Sequence, residues 1–179
     1  MFQFGSLAAV LVSAGCGAYK VPLVEKPELP VDKALVGSWE AKKENGDEYV
    51  RLLVMPMSPE EYLLVYSEDE KTLYGRACHC GGLDFPLAQL KLIAPKDGIE
   101  KFDGTDDLEE FFKPAYDYAT YAIKDGKLTV RLLNYEVVKP GEIKTSADLL
   151  AAIKANAKNP ELFNEEKMVF TRVKLSKTD

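Results

Sequence analysis

Apolar and polar residues begin to alternate with a period of two after Leu35, in short runs separated by turn residues. The pattern predicts eight strands, over 38–43, 48–55, 61–67, 72–80, 84–93, 116–124, 127–133 and 167–174. Asn45-Gly46 and Asp125-Gly126 fall between neighbouring runs, and both pairs tolerate the positive φ that a two-residue hairpin turn requires. Many short strands with short connections predict a mainly β chain: an antiparallel up-and-down meander that closes into a barrel and leaves no open edge. Two segments break the alternation. Over 106–112, Asp106 and Glu109 have capping-box spacing, Leu108, Phe111 and Phe112 share a helical face, and Pro114 stops it. Over 146–156, Leu149, Leu150 and Ile153 form an apolar stripe, Ser146 and Asp148 suit the first turn, and Asn159-Pro160 ends it. This longer helix is expected to cross one end or flank of the sheet before the last strand.

Composition narrows the function more than it names it. The 179 residues include 23 Lys+Arg against 29 Asp+Glu, a net charge of −6, which argues against the basic stripe of a nucleic-acid-binding surface. With 46% hydrophobic and 10% aromatic residues, the chain can bury a core of its own. A single His and three Cys exclude His-rich catalytic sites and most metal cages. The sequence has no G-x-S-x-G, no H-E-x-x-H, no P-loop and no dinucleotide glycine fingerprint, so no enzymatic activity and no cofactor are expected.

The N-terminus carries the clearest compartment signal. Leu7 to Val12 form an apolar run that ends in Ser13-Ala14-Gly15-Cys16, and this resembles the h-region and lipobox of a bacterial lipoprotein signal. The resemblance implies that residues 1–15 are a signal peptide and that Cys16 becomes the lipidated first residue, the chain's link to a membrane. Ser13 stands where Leu or Val is commoner, and Met1 to Phe4 lack the Lys or Arg of an n-region, which a start site upstream would supply. The run is too short to span a bilayer as a helix, which needs ~20 apolar residues. Gly17 rather than Asp follows the lipidation position, which resembles an outer-membrane sorting signal and implies a periplasm-facing protein of the bacterial envelope. From 16 to 34, Pro22, Pro27 and Pro30 without a clear period predict an extended linker of about 3.1 Å per residue that stands the domain off the membrane. Its apolar residues Val21, Leu23, Val24, Leu29 and Val31 also allow part of it to lie along the domain. The domain is expected over 35–175, with a polar tail over 176–179.

Leu35-Val36-Gly37-Ser38-Trp39, the Asp125 to Val130 hairpin and the Thr145 to Phe163 block together resemble a family of small bacterial lipoproteins with a lipocalin-like β-barrel domain. The resemblance covers roughly residues 35–173 and implies a fold and a compartment, with no activity attached. Gly37-x-Trp39 also resembles the first strand of lipocalin-like barrels, where the Trp closes the base beneath a late Arg. It implies that Trp39 packs under Arg172 by a cation–π contact worth roughly 0.5–2 kcal/mol. A helix before the final strand departs from the lipocalin order.

Two groups of residues carry candidate chemistry. In Cys78-His79-Cys80-Gly81-Gly82, three readings compete: a strained disulfide, a soft-metal site for zinc or copper(I), or two small thiols with a solvent-facing His. Residues i and i+2 of a strand lie about 6.6–6.8 Å apart at Cα, at the upper limit for a disulfide, and an extended backbone turns His79 away from both thiols. Tyr49, Tyr62, Tyr66, Tyr74, Tyr116, Tyr118 and Tyr121 fall on predicted strands, where they line an amphipathic ligand cavity or simply pair across strands. The acidic run 103–110 fails as a calcium loop, because it lacks the sixth-position Gly and Pro114 stands at the twelfth. Three functional classes follow: a tethered barrel that binds a small apolar or amphipathic ligand, a packed barrel that contacts an envelope protein, and a redox or metal-responsive element at Cys78 and Cys80.

Overall fold

The computed structural model describes residues 19–43, 48–69, 71–95 and 115–173. Cys16, the Asn45-Gly46 turn, the acidic run and the helix expected over 106–112 lie outside the described residues. Eight strands form a closed antiparallel barrel in sequence order: β1 Gly37–Lys42, β2 Tyr49–Pro56, β3 Glu61–Glu68, β4 Lys71–Cys80, β5 Leu87–Pro95, β6 Tyr116–Lys124, β7 Lys127–Leu132 and β8 Met168–Arg172. Period-two alternation fixes the register, because a slip of one residue would turn each apolar set outward. On β2, for example, Val50 and Val54 are buried while Arg51 is exposed. β5 begins at Leu87, three residues later than the pattern predicts. Gly82 turns the chain with a φ of +75°, and Pro86 offers no N–H to a ladder. Asp125 and Gly126, with φ of 53° and 73°, make the tight turn between β6 and β7.

The barrel wall has two buried sides. Trp39, Val50, Val54, Tyr62, Tyr66, Leu73, Leu128 and Phe170 form the inner core. Outside, the connection from β7 to β8 folds back over the wall and carries helix α1, Ser146–Ala155. Ser146 and Asp148 stand in its first turn as expected, and Thr145 is the N-cap: it accepts from the Asp148 N–H at 3.1 Å while Asp148 accepts from the Thr145 N–H at 2.9 Å. Leu149 and Ile153 of α1 are fully buried against Leu87, Tyr118 and Leu133, which makes a second core.

The segment expected as a free linker is part of this outer core from Tyr19 onward. Tyr19 is fully buried and bridges to Tyr116. Gln89 holds the next turn like a backbone partner, accepting from the N–H groups of Leu23 at 2.6 Å and Val24 at 2.9 Å and donating to the Val24 carbonyl at 2.9 Å. Tyr118 Oη donates to the Val21 carbonyl, and Ser146 Oγ to that of Pro22. The prolines that suggested a stand-off spacer instead suit an extended strap whose polar groups are met by side chains of the wall.

One end of the barrel, the floor, is closed where β1 begins and β8 finishes. The Trp39 indole is fully buried and donates to the Leu35 carbonyl at 2.8 Å. The Arg172 guanidinium lies 4.3 Å from the Trp39 ring centroid and donates to the carbonyls of Val36, at 2.9 Å, and Ala34. Gly37 is required beneath it: its φ is +141°, and a Cβ there would stand 2.7 Å from Arg172 Nη1. Trp39→Ala should cost about 3–5 kcal/mol in denaturant unfolding. A loss below about 1 kcal/mol, the size of an ordinary surface substitution, would show that Trp39 does not close the barrel.

Candidate functional site

The barrel interior is not completely filled. A cavity of ≈150 Å³ runs along it, from Leu35, Tyr62 and Tyr121 near the floor to Leu92, Leu132 and Met168 at the opposite end, with apolar walls such as Leu64, Leu90 and Val130 between. It follows from residue size: Gly75, Ala77, Ala88 and Ala119 occupy inward positions on β4, β5 and β6 where larger side chains would meet in the middle. Leu92 lines the cavity and is 44% exposed, which marks its mouth among the described residues.

Of the seven tyrosines considered as cavity lining, Tyr62, Tyr66 and Tyr121 face the interior. The other four hold outward positions, because each alternates with an inward neighbour: Tyr49 with Val50, Tyr74 with Gly75, Tyr116 and Tyr118 with Asp117. Tyr118 belongs to the outer core, and Tyr116 lies beneath the Lys91 ammonium, 5.8 Å from its ring centroid.

His79 is the inward residue of the Cys78-His79-Cys80 triplet, not a solvent-facing one. It is half-buried, with Tyr62 Oη 2.6 Å from Nε2 and Tyr121 Oη 3.4 Å from Nδ1. The Asp32 N–H donates to Tyr62 Oη. When Tyr62 donates in turn to Nε2, the imidazole proton sits on Nδ1 and faces Tyr121, the arrangement in which the Tyr121 hydroxyl hydrogen is left for an acceptor. Burial holds the imidazole below its ordinary value, and the Asp32 carboxylate offsets part of that.

Cys78 and Cys80 face the other way, Cys80 within the outer core and Cys78 buried beside Gln89, and both are free thiols. Burial pushes Cys78 up to about 11 and Cys80 up to about 12, which disfavours the thiolate in the folded protein. The sheet separates them from His79, and among the described residues no group of three His, Cys, Asp or Glu gathers in metal-binding geometry.

Three buried polar side chains complete the wall, and the strand-by-strand reading passed over them: Glu68, Gln89 and Asp117. Asp117 is 7% exposed, lines the cavity near its mouth and accepts from Tyr135 Oη. Burial raises its pKa, against the lowering effect of the Tyr135 hydrogen bond. Its place was readable, since Asp117 shares the period-two face of Ala119 and Tyr121. Glu68 accepts from Tyr66 Oη at 3.0 Å and from Lys43 Nζ at 3.2 Å. The cavity is thus apolar along its length, with a tyrosine–histidine cluster near the floor and carboxyl groups toward the mouth.

Fold and site together define a closed eight-stranded up-and-down β-barrel with an apolar interior and one flank sealed by a helix and an N-terminal strap. Comparison with known protein families, with curated proteins and with solved structures finds no match.

The chain has a single His, so its titration is assigned without ambiguity. Because the folded-state pKa lies below the unfolded value of about 6.5, the unfolded chain binds the proton more readily. The stability this group contributes is present above about pH 6.5 and is lost as pH falls through the folded value. Nitrogen NMR of the imidazole should show the Nδ1–H tautomer and a midpoint below about 6.5. An Nε2–H tautomer, or a midpoint at or above that value, would contradict the hydrogen-bond chain from Asp32 to Tyr121.

Proposed function

We propose that this chain is a lipid-anchored protein of the bacterial cell envelope, held on the periplasmic face of the outer membrane through Cys16, whose barrel binds a small apolar or amphipathic ligand. The observation that carries the reading is the apolar cavity of ≈150 Å³ inside a barrel closed at one end. A cavity of that size with walls mainly of aliphatic and aromatic groups accepts a benzene-sized guest. Ligand pockets for larger molecules usually start at about 300 Å³. The expected guest is therefore a single ring or one short alkyl chain. Tyr121, whose hydroxyl hydrogen is free in the chain described above, suits a ligand that ends in a carbonyl or ether oxygen.

The membrane tether is supported by the apolar run before Cys16 and the small residues that precede it. The redox and metal readings lose support from the geometry, since the two thiols are buried and face the other side of the sheet from His79.

Binding is tested with full-length protein and fluorobenzene, a single-ring probe whose bound and free states are followed by fluorine NMR. The wild type should bind it saturably, and Ala119→Leu, which extends a buried side chain into the cavity, should abolish binding while leaving the unfolding midpoint at or above that of the wild type. No saturable binding by the wild type, or unchanged binding by Ala119→Leu, would move the function away from the barrel interior.

A further inference from the structure

Of the two buried carboxyl groups among the described residues, one is matched by a cation and the other is not. Glu68 has the Lys43 ammonium at 3.2 Å and the Tyr66 hydroxyl at 3.0 Å. Asp117, 7% exposed, has the Tyr135 hydroxyl on Oδ1. Its second oxygen, Oδ2, has no hydrogen-bond partner among the described residues, and neither oxygen has a Lys or Arg. Every fully enclosed side-chain nitrogen or oxygen among those residues has a partner, so an unpartnered Oδ2 is one that open space reaches. That space is the mouth end of the cavity, which Asp117 lines beside Leu90, its register partner across the β5–β6 ladder. Burial raises the Asp117 pKa, and only the Tyr135 hydrogen bond opposes it. The Tyr135 bond needs an acceptor but no charge, and a neutral amide would supply one without desolvating a carboxylate.

A carboxylate left unanswered at the end of an apolar cavity suits a guest that brings the opposite charge. Asp117, Ala119 and Tyr121 follow one another on the inward face of β6, which sets Asp117 about 13 Å from Tyr121 along the strand with only a small side chain between. A ring or short chain lying among Leu64, Leu90 and Val130 therefore brings a terminal ammonium to Oδ2. Of its three N–H donors, one meets Oδ2 and the others stay with water at the open end, where Leu92 is 44% exposed. A bare inorganic cation does not suit the place: calcium takes six to eight oxygen ligands, and no group of three metal-binding side chains gathers among the described residues. An anionic guest meets repulsion from Asp117. The 96–114 connection, which lies outside the described residues, does not turn that balance, since it carries an excess of Asp and Glu over Lys.

We propose that the guest of the barrel is an apolar amine, a single ring or short alkyl chain that ends in an ammonium group, and that Asp117 is the residue that selects it. This rests on the ligand-binding cavity of the proposed function and narrows its guest from amphipathic in general to cationic. The amine enters with its own proton, as ammonium; where Asp117 holds a proton, that proton leaves to solvent as the ion pair forms.

Fluorine NMR on the full-length protein compares three single-ring probes: fluorobenzene, para-fluorobenzyl alcohol and para-fluorobenzylamine. The wild type should bind the amine about tenfold tighter than the alcohol, the margin of a charge-assisted hydrogen bond over a neutral one. Asp117→Asn, which keeps an acceptor for Tyr135, should bring the amine down to the level of the alcohol and leave fluorobenzene binding unchanged. An amine bound no tighter than the alcohol by the wild type, or a preference that survives Asp117→Asn, would overturn the selection by Asp117 while fluorobenzene binding keeps the cavity reading in place. Failure of all three probes to bind overturns both. The wild-type comparison of amine with alcohol decides the matter even if the variant does not fold.

Discussion

The seam between the first and last strands is the constraint on which the rest depends. β1 and β2 share a ladder that runs the whole length of β1, whereas among the described residues β1 and β8 pair at Trp39↔Arg172 and Glu40↔Thr171, with the Val173 N–H donating to the Ser38 carbonyl at 2.9 Å just beyond. So short a ladder is weak by itself, and side chains hold it. The Arg172 guanidinium stacks on the Trp39 ring and ties down the carbonyls of Val36 and Ala34, so one residue of the last strand fastens the turn that leads into the first. Were the seam to open, both strands would present free edges and the apolar interior would meet water. The absence of a side chain at Gly37 is part of the same contact, since any Cβ there would displace the guanidinium.

Closure at the floor makes an interior, and the outer core decides what faces it. Between β4 and β7 the wall is covered on both sides, by the cavity-lining residues within and by α1 and the strap without. Successive residues of one strand consequently live in different media. His79 enters a tyrosine-lined hydrogen-bond chain inside the barrel, while the cysteines on either side of it are buried on the outer face. The strap turns what would have been a spacer into an extension of the wall, held by hydrogen bonds to Tyr116, Gln89 and Tyr118.

The strands and α1 were legible in the sequence because half-buried strands alternate and an amphipathic helix carries a stripe. Those local periods survive folding. The strap was not, because its polar groups are satisfied by side chains far along the chain, Gln89 and Tyr118, and no local pattern announces such partners. The split among the tyrosines could be read from parity within each strand, since Asp117, Ala119 and Tyr121 share a face that excludes Tyr116 and Tyr118. Which face was inward could not, because here both faces are apolar and buried, and alternation marks the inside only when the outside is wet. That also explains His79: next to two thiols that look like small core residues, a histidine reads as the solvent-facing member, yet the thiols are buried on the outer face and the imidazole points into the barrel.

The central claim is a closed barrel with an apolar hollow. Diffraction from a crystal pressurised with xenon tests it directly, since xenon occupies apolar cavities of this size and stays out of packed interiors. The account predicts xenon inside the barrel among Leu64, Leu90 and Val130 with the Trp39–Arg172 floor intact. An interior without xenon, its side chains collapsed onto one another, would contradict it.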